Sequence, residues 1–144
     1  MSKNRKGGFI MKEKIKSILL DENLCNKMGE DNTKVLINAL HQKYQLYLLT
    51  SNKEFEPKEM YQNLDGIIYQ ERKNKQNPIF YKKLAQALQM LDMNVLYVDD
   101  DLVPLYTAQR ANFSTCYYRD TMNDYFEFYP TMEVKHSKEL IKQL

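Results

Sequence analysis

Five short apolar runs, separated by amphipathic stretches, constrain this chain more than any other feature. "IKSILL" (15–20), "YQLYLLT" (44–50), "DGIIYQ" (65–70), "NVLYV" (94–98) and "FSTCYY" (113–118) read as strands. Between them "GEDNTKVLINALHQK" has helical spacing, with Asp31 or Asn32 as its cap and Val35, Leu36, Ala39 and Leu40 on one face. A short helix is expected around 56–62. "NPIFYKKLAQALQML" starts with an Asn cap and Pro78 in the first turn, and carries the stripe Ile79, Phe80, Leu84, Leu88, Leu91. A further helix is expected over 101–111. Strands alternating with helices at this interval predict a Rossmann-like three-layer α/β/α domain with a mainly parallel sheet and right-handed crossovers. Such sheets place their sites at the carboxyl ends of the strands, and those ends carry Asp21, Thr50, Ser51 and Asp99–Asp101.

The chain has 144 residues, 43% of them hydrophobic, enough for one core and too apolar for a disordered polyelectrolyte. The expected division is a flexible basic tail over 1–13 and a single domain over 14–144. With 21 basic and 19 acidic residues the net charge is +2, so neither nucleic acid nor an acidic membrane is an expected partner. No apolar run reaches the length of a membrane span, and no signal-peptide core follows the basic start. Cys25 and Cys116 lack metal-type spacing, which makes a reduced, cytoplasmic protein the expectation. His41 and His136 have no Ser or Cys partner at catalytic spacing and read as structural or surface residues. "DYFEFYP" (124–130) alternates and predicts an edge strand ended by Pro130, and "SKELIKQL" predicts a closing helix capped by Ser137.

Three consecutive aspartates behind an apolar run are the chain's most unusual local feature. Burying any of these carboxylates costs several kcal/mol, on the order of the penalty for an unpaired buried charge, unless something offsets it. A bound cation and a helix start are the two uses that this residue type serves. Asp101 suits the start of the 101–111 helix, whereas Asp99 and Asp100 are the better candidates for a metal.

Four segments, in order, resemble the haloacid dehalogenase-like (HAD) hydrolase superfamily. "KIKSILLDEN" is similar to its first motif, a strand ending in a nucleophilic aspartate, and "YQLYLLTSN" to its second, a strand ending in a phosphoryl-binding Thr or Ser. "KNKQNPIFYKKLAQAL" resembles the third, a Lys before a Pro-started helix, and "NVLYVDDDLVPLYTAQRANFSTCYY" the fourth, a strand with acidic residues. The resemblance covers residues 14 to 118. It implies phosphate-ester hydrolysis with Asp21, Asn23, Thr50 and Lys75 at the catalytic positions, and Thr50, Ser51, Asn52 and Lys75 around the substrate. It also implies Mg²⁺ held by Asp21, Asn23, Asp99 and Asp100. Oxygen ligands suit magnesium, and the cation would cancel the repulsion between an attacking carboxylate and a phosphate. Ser51 competes with Thr50, and Lys73 with Lys75, for the second and third motifs. "VLYVDDD" also resembles the opening strand of a receiver domain, but residues 102–144 are too few to complete one.

Two features depart from the family pattern. The family's phosphatases place a second, proton-transferring aspartate two residues after the nucleophile; "DENLC" has Asn23 there and Leu24 in place of a glycine. Asn cannot transfer a proton, a loss worth roughly 10²–10⁴ in rate. Glu22 is adjacent, and on an extended segment it is expected to face away. Segments 22–49 and 51–74 are too short for a cap domain, so a second copy of the chain or a macromolecular phosphorylated substrate would have to exclude water. The alternative expectation is a noncatalytic relative that binds a metal, a phosphate or a protein.

Overall fold

The apolar runs become strands covered on both faces, which is why they lack the strict alternation of a half-exposed sheet. The computed structural model describes residues 14–119 and 128–144. Its strands are β1 (Ser17–Asp21), β2 (Gln45–Thr50), β3 (Gly66–Tyr69), β4 (Val95–Asp99), β5 (Ser114–Tyr118) and β6 (Met132–Val134). They form one sheet in the order β3-β2-β1-β4-β5-β6, with every neighbouring pair parallel. The helices are α1 (Glu22–Met28), α2 (Glu30–Leu40), α3 (Pro78–Ala87), α4 (Leu102–Arg110) and α5 (Ser137–Gln143). One apolar layer joins Ile18, Leu20, Leu48 and Val98 to α1, α2 and α5; the other joins Leu19, Leu49 and Tyr97 to α3 and α4. This is the expected three-layer α/β/α domain.

Local chemistry departs from expectation at several caps. The chain turns into a helix directly after β1. The Asp21 carboxylate accepts the Leu24 N–H at 3.2 Å, so the strand's last residue is also the cap of α1. Gly29, at φ +92°, then breaks the helix and opens α2, so neither Asp31 nor Asn32 is the cap. That conformation is one that side-chain-bearing residues rarely adopt. Asn77 and Pro78 start α3 as expected, with the Asn77 Oδ1 accepting the Ile79 N–H at 3.0 Å. The helix ends at Ala87, however, and buries Tyr81, Leu84 and Ala85, leaving Ile79 and Leu91 exposed. His136 rather than Ser137 precedes α5. Residues 56–62 yield only a 3₁₀ turn, Glu59–Tyr61. The expected tail over 1–13 and most of the edge strand expected over 124–130 lie outside the described residues. Residues 128–130 are not strand, and the sixth strand follows Pro130.

Leu48 is fully buried in the layer beneath α1 and α2. Leu48→Ala should cost about 2–5 kcal/mol, the lost transfer free energy plus that of the cavity left behind. Urea unfolding should show a lower midpoint at an unchanged slope.

Candidate active site

The strand order reverses between β1 and β4. From β1 the chain moves outward to β2 and β3, then crosses back to β4 and outward again to β5. The carboxyl ends of two adjacent strands at such a reversal border a crevice, because the following connections leave on opposite faces. Asp21 ends β1 and Asp99 ends β4, only 2% and 1% exposed. Strand alternation puts both on the side of Leu19 and Tyr97, facing α3 and α4.

Each carboxylate has its own partners. Lys75 Nζ donates to Asp21 Oδ1 at 2.6 Å. The Tyr97 hydroxyl donates to Asp99 Oδ2 at 2.5 Å, and the backbone N–H groups of Asp100 and Asp101 donate to Oδ1 at 2.7 and 3.2 Å. Lys27 Nζ donates to Asp100 Oδ2 at 2.5 Å. Asp101 caps α4 by accepting the Val103 N–H at 3.1 Å, the role its position suggests. The lysine-bearing 3₁₀ turn, Arg72–Gln76, is fixed from the core: the Tyr81 hydroxyl donates to the Lys75 carbonyl at 2.9 Å. Lys75, not Lys73, reaches the site; Lys73 pairs with Glu71 at the surface.

Asp21, Asp99 and Asp100 each bring one carboxylate oxygen within 4.8 Å of the others. Burial first, and the Asp21 charge second, hold the Asp99 carboxyl well above the usual carboxylate range, while Tyr97 and Lys75 oppose that shift. Burial likewise raises the Tyr81 and Tyr97 phenols, so both remain protonated donors. It also raises the Cys25 thiol, with Asp21 adding to the effect, and makes that sulfur a poor nucleophile. Three clustered carboxylates without thiolate or imidazole form a donor set that fits a hard divalent cation such as magnesium.

Next to this cluster is a cleft of about 120 Å³. Asp21, Glu22, Asn23, Ser51, Asn52, Arg72 and Lys75 line it. Thr50 does not. Its hydroxyl points to the α1 side, donates to Glu22 Oε1 at 2.6 Å and accepts the Asn52 N–H at 3.0 Å. Ser51 faces the cleft, and its buried Oγ has no hydrogen-bond partner among the described residues. Asn52 Oδ1 is occupied by the Glu54 N–H at 3.0 Å.

Glu22 lines the cleft, but its two carboxylate oxygens meet Thr50 and Asn26 on the α1 side, neither of which lines it. The sequence predicts an extended chain after Asp21, whereas a helical turn begins there. Arg72 was also missed, because on a Lys-rich stretch its charge resembles any solvated one. Parity was the available signal for Ser51: Ile18, Leu20 and Leu48 share one face, so Thr50 belongs with them and Ser51 with Leu49.

No protein-family model matches the sequence, and no curated protein matches it. Solved structures do. A haloacid dehalogenase-like family hydrolase of Streptococcus pneumoniae superposes with a TM-score of 0.67 at 10% identity, over 90% of this chain and 98% of its own. A dehalogenase captured with an intermediate gives 0.64 at 19% identity, over 80% of this chain and 54% of its own. A HAD phosphatase of Thermococcus onnurineus gives 0.60 at 19% identity, over 77% and 55%. The chain thus spans about half the length of the latter two. Its fold is that of the HAD-superfamily hydrolases. Among the described residues no helix is long and apolar enough to cross a membrane.

The raised Asp99 carboxyl has a consequence for stability. Its proton is held more tightly in the folded chain than in the unfolded one, so its contribution is present at low pH. That contribution is lost as pH rises from the ordinary carboxylate range toward the raised value. Thermal melts without divalent cation should therefore show a falling midpoint over that range. Asp99→Asn should flatten the dependence while keeping the partnership with Tyr97.

Proposed function

We propose that this protein is a magnesium-dependent phosphohydrolase that uses Asp21 as its nucleophile. The observation that carries the reading is the convergence of Asp21, Asp99 and Asp100 beside a cleft that also holds Lys75 and the unpartnered Ser51. Asp21 attacks the phosphorus atom of an ester whose phosphoryl oxygens meet the Lys75 ammonium and the Ser51 hydroxyl. These groups lower the repulsion an incoming dianion feels and stabilise charge that builds up on its oxygens. Magnesium, when held by Asp21, Asp99 and Asp100 with Asn23 alongside, supplies the remaining positive charge. Three carboxylates weigh against a metal-free displacement on a carboxylated haloalkane, because they would repel that substrate.

Size supports an unusual substrate class. Pockets that enclose small molecules commonly measure roughly 300–1,000 Å³, whereas this cleft is near 120 Å³. It suits a phosphoryl group whose bearer stays outside, as on a macromolecule. A second copy of the chain closing over the cleft is the other source of a lid.

Noncatalytic metal or phosphate binding is the second reading, favoured by Asn23 at the position where a proton-transferring acid is expected. One assay separates the two: phosphate-monoester turnover with magnesium, with chelator, and in Asp21→Asn. Turnover should require magnesium and vanish in the variant. Magnesium-dependent thermal stabilisation that is lost in Asp100→Ala, with no turnover of any ester, would instead establish the binding-only reading.

A further inference from the structure

We infer that Lys27 is a built-in competitor of the divalent cation: its ammonium group sits on Asp100, and cation binding at Asp21, Asp99 and Asp100 displaces it. The inference rests on the magnesium part of the reading above. Two ammonium groups reach the three carboxylates. Lys75 Nζ donates to Asp21 Oδ1 at 2.6 Å, and Lys27 Nζ to Asp100 Oδ2 at 2.5 Å. Each bond is charge-assisted, so each neutralises negative charge that also attracts a metal ion.

The two lysines differ in how firmly they are held. The Lys75 side chain is 16% exposed, its turn is fixed by the Tyr81 hydroxyl, and it lines the cleft. The Lys27 side chain is 60% exposed, belongs to the last turn of α1 and does not line the cleft. An exposed ion pair of this kind is weak, because water rehydrates the ammonium as it leaves. The end of a helix also favours a nearby cation, so the released group stays in a favourable field. Asp100 is in the opposite position. Its side chain is only 8% exposed, and a carboxylate so nearly buried needs some positive charge beside it.

A divalent cation and an ammonium group do not share this carboxylate freely. Among the described residues Oδ2 accepts from Lys27, while Oδ1 has no hydrogen-bond donor. A cation on Oδ1 would lie one carboxyl group away from the Lys27 ammonium, and like charges that close repel even through water. The looser of the two charges yields. The exchange is of one cation for another and moves no proton. Linkage then ties two quantities together: what the Lys27 ion pair adds to folding without magnesium is what it subtracts from magnesium binding.

The test is magnesium binding to the full chain, by isothermal titration calorimetry and by thermal melts in chelator and in saturating magnesium. Lys27→Met keeps the apolar stem and removes the charge. It should bind magnesium about 2–5-fold more tightly, the strength of an exposed ion pair that no longer has to break. In chelator it should melt about 1–4 °C below wild type, and in saturating magnesium that deficit should vanish. Lys27→Arg, which keeps the charge, should bind magnesium as wild type does. If Lys27→Met does not fold, as judged by circular dichroism, Lys27→Gln carries the same comparison. Equal or weaker binding by the neutral variant, or a melting deficit that persists in saturating magnesium, would make Lys27 a fixed holder of Asp100. Either result overturns the inference and leaves magnesium- and Asp21-dependent hydrolysis intact. A wild type that binds no magnesium by either measurement overturns the inference and the magnesium site together.

Discussion

Two carboxylates buried at the adjoining ends of the central strands are the constraint on which the rest of this structure depends. An unpaired carboxylate taken out of water costs several kcal/mol, on the order of a domain's whole margin of stability. The chain meets that cost in different ways at the two positions. Asp21 has a lysine and a backbone N–H from the helix it caps. Asp99 has a buried phenol and two successive backbone N–H groups at the turn into α4. Those partners stabilise each group separately but remove neither the burial of Asp99 nor its repulsion by Asp21, and burial first, the Asp21 charge second, make the Asp99 carboxyl cling to its proton. A site under this strain is poised for positive charge.

The site's rigidity comes from the aromatic layer beneath it. Tyr81 packs edge-on against Phe113, with ring centroids 5.6 Å apart, and lies 5.8 Å from Tyr97. Each tyrosine spends its hydroxyl on a functional element, Tyr81 on the Lys75 carbonyl and Tyr97 on Asp99. The rings are held by apolar packing and their tips by hydrogen bonds, an arrangement that suits a residue with an apolar body and a polar end. Core packing under α3 and α4 is thus transmitted to the lysine and to the metal-type carboxylate. A cavity opened in that layer would disturb charge placement as well as stability.

Much of this was legible in the sequence, and the rest was hidden for physical reasons. Strands and their order along the chain follow from apolar runs broken by capped helices, and Asp21 and Asp99 follow from acids at the ends of such runs. The helix directly after β1 was not legible, because "DENLC" has no turn signal and the capping residue is also the strand's last. The choice between Thr50 and Ser51 was encoded in side-chain parity, but a strand buried on both faces shows no polar alternation from which to set the phase. Arg72 and Lys75 share a lysine-rich turn in which only the packing of Tyr81 distinguishes one cation from the next.

Openness determines what kind of chemistry the site can support. Sites that close over a substrate gain by excluding water, which strengthens every charge interaction inside. Here the connections between β1, β2 and the Lys75 turn are consumed by α1, α2 and β3, leaving no inserted segment to close over the cleft. Water therefore remains at the mouth and screens interactions there, so the fixed charges must lie deep to be effective. They do: Asp21 and Asp99 are almost wholly buried, and the Lys75 side chain is only 16% exposed. Arg72, at the rim, is exposed and correspondingly weaker. On the proposed reading, transition-state stabilisation is concentrated at the phosphoryl group and fades within a few ångströms of it. Selectivity for the rest of the substrate must then come from surfaces beyond the cleft, which is the situation of a phosphate borne by a large partner.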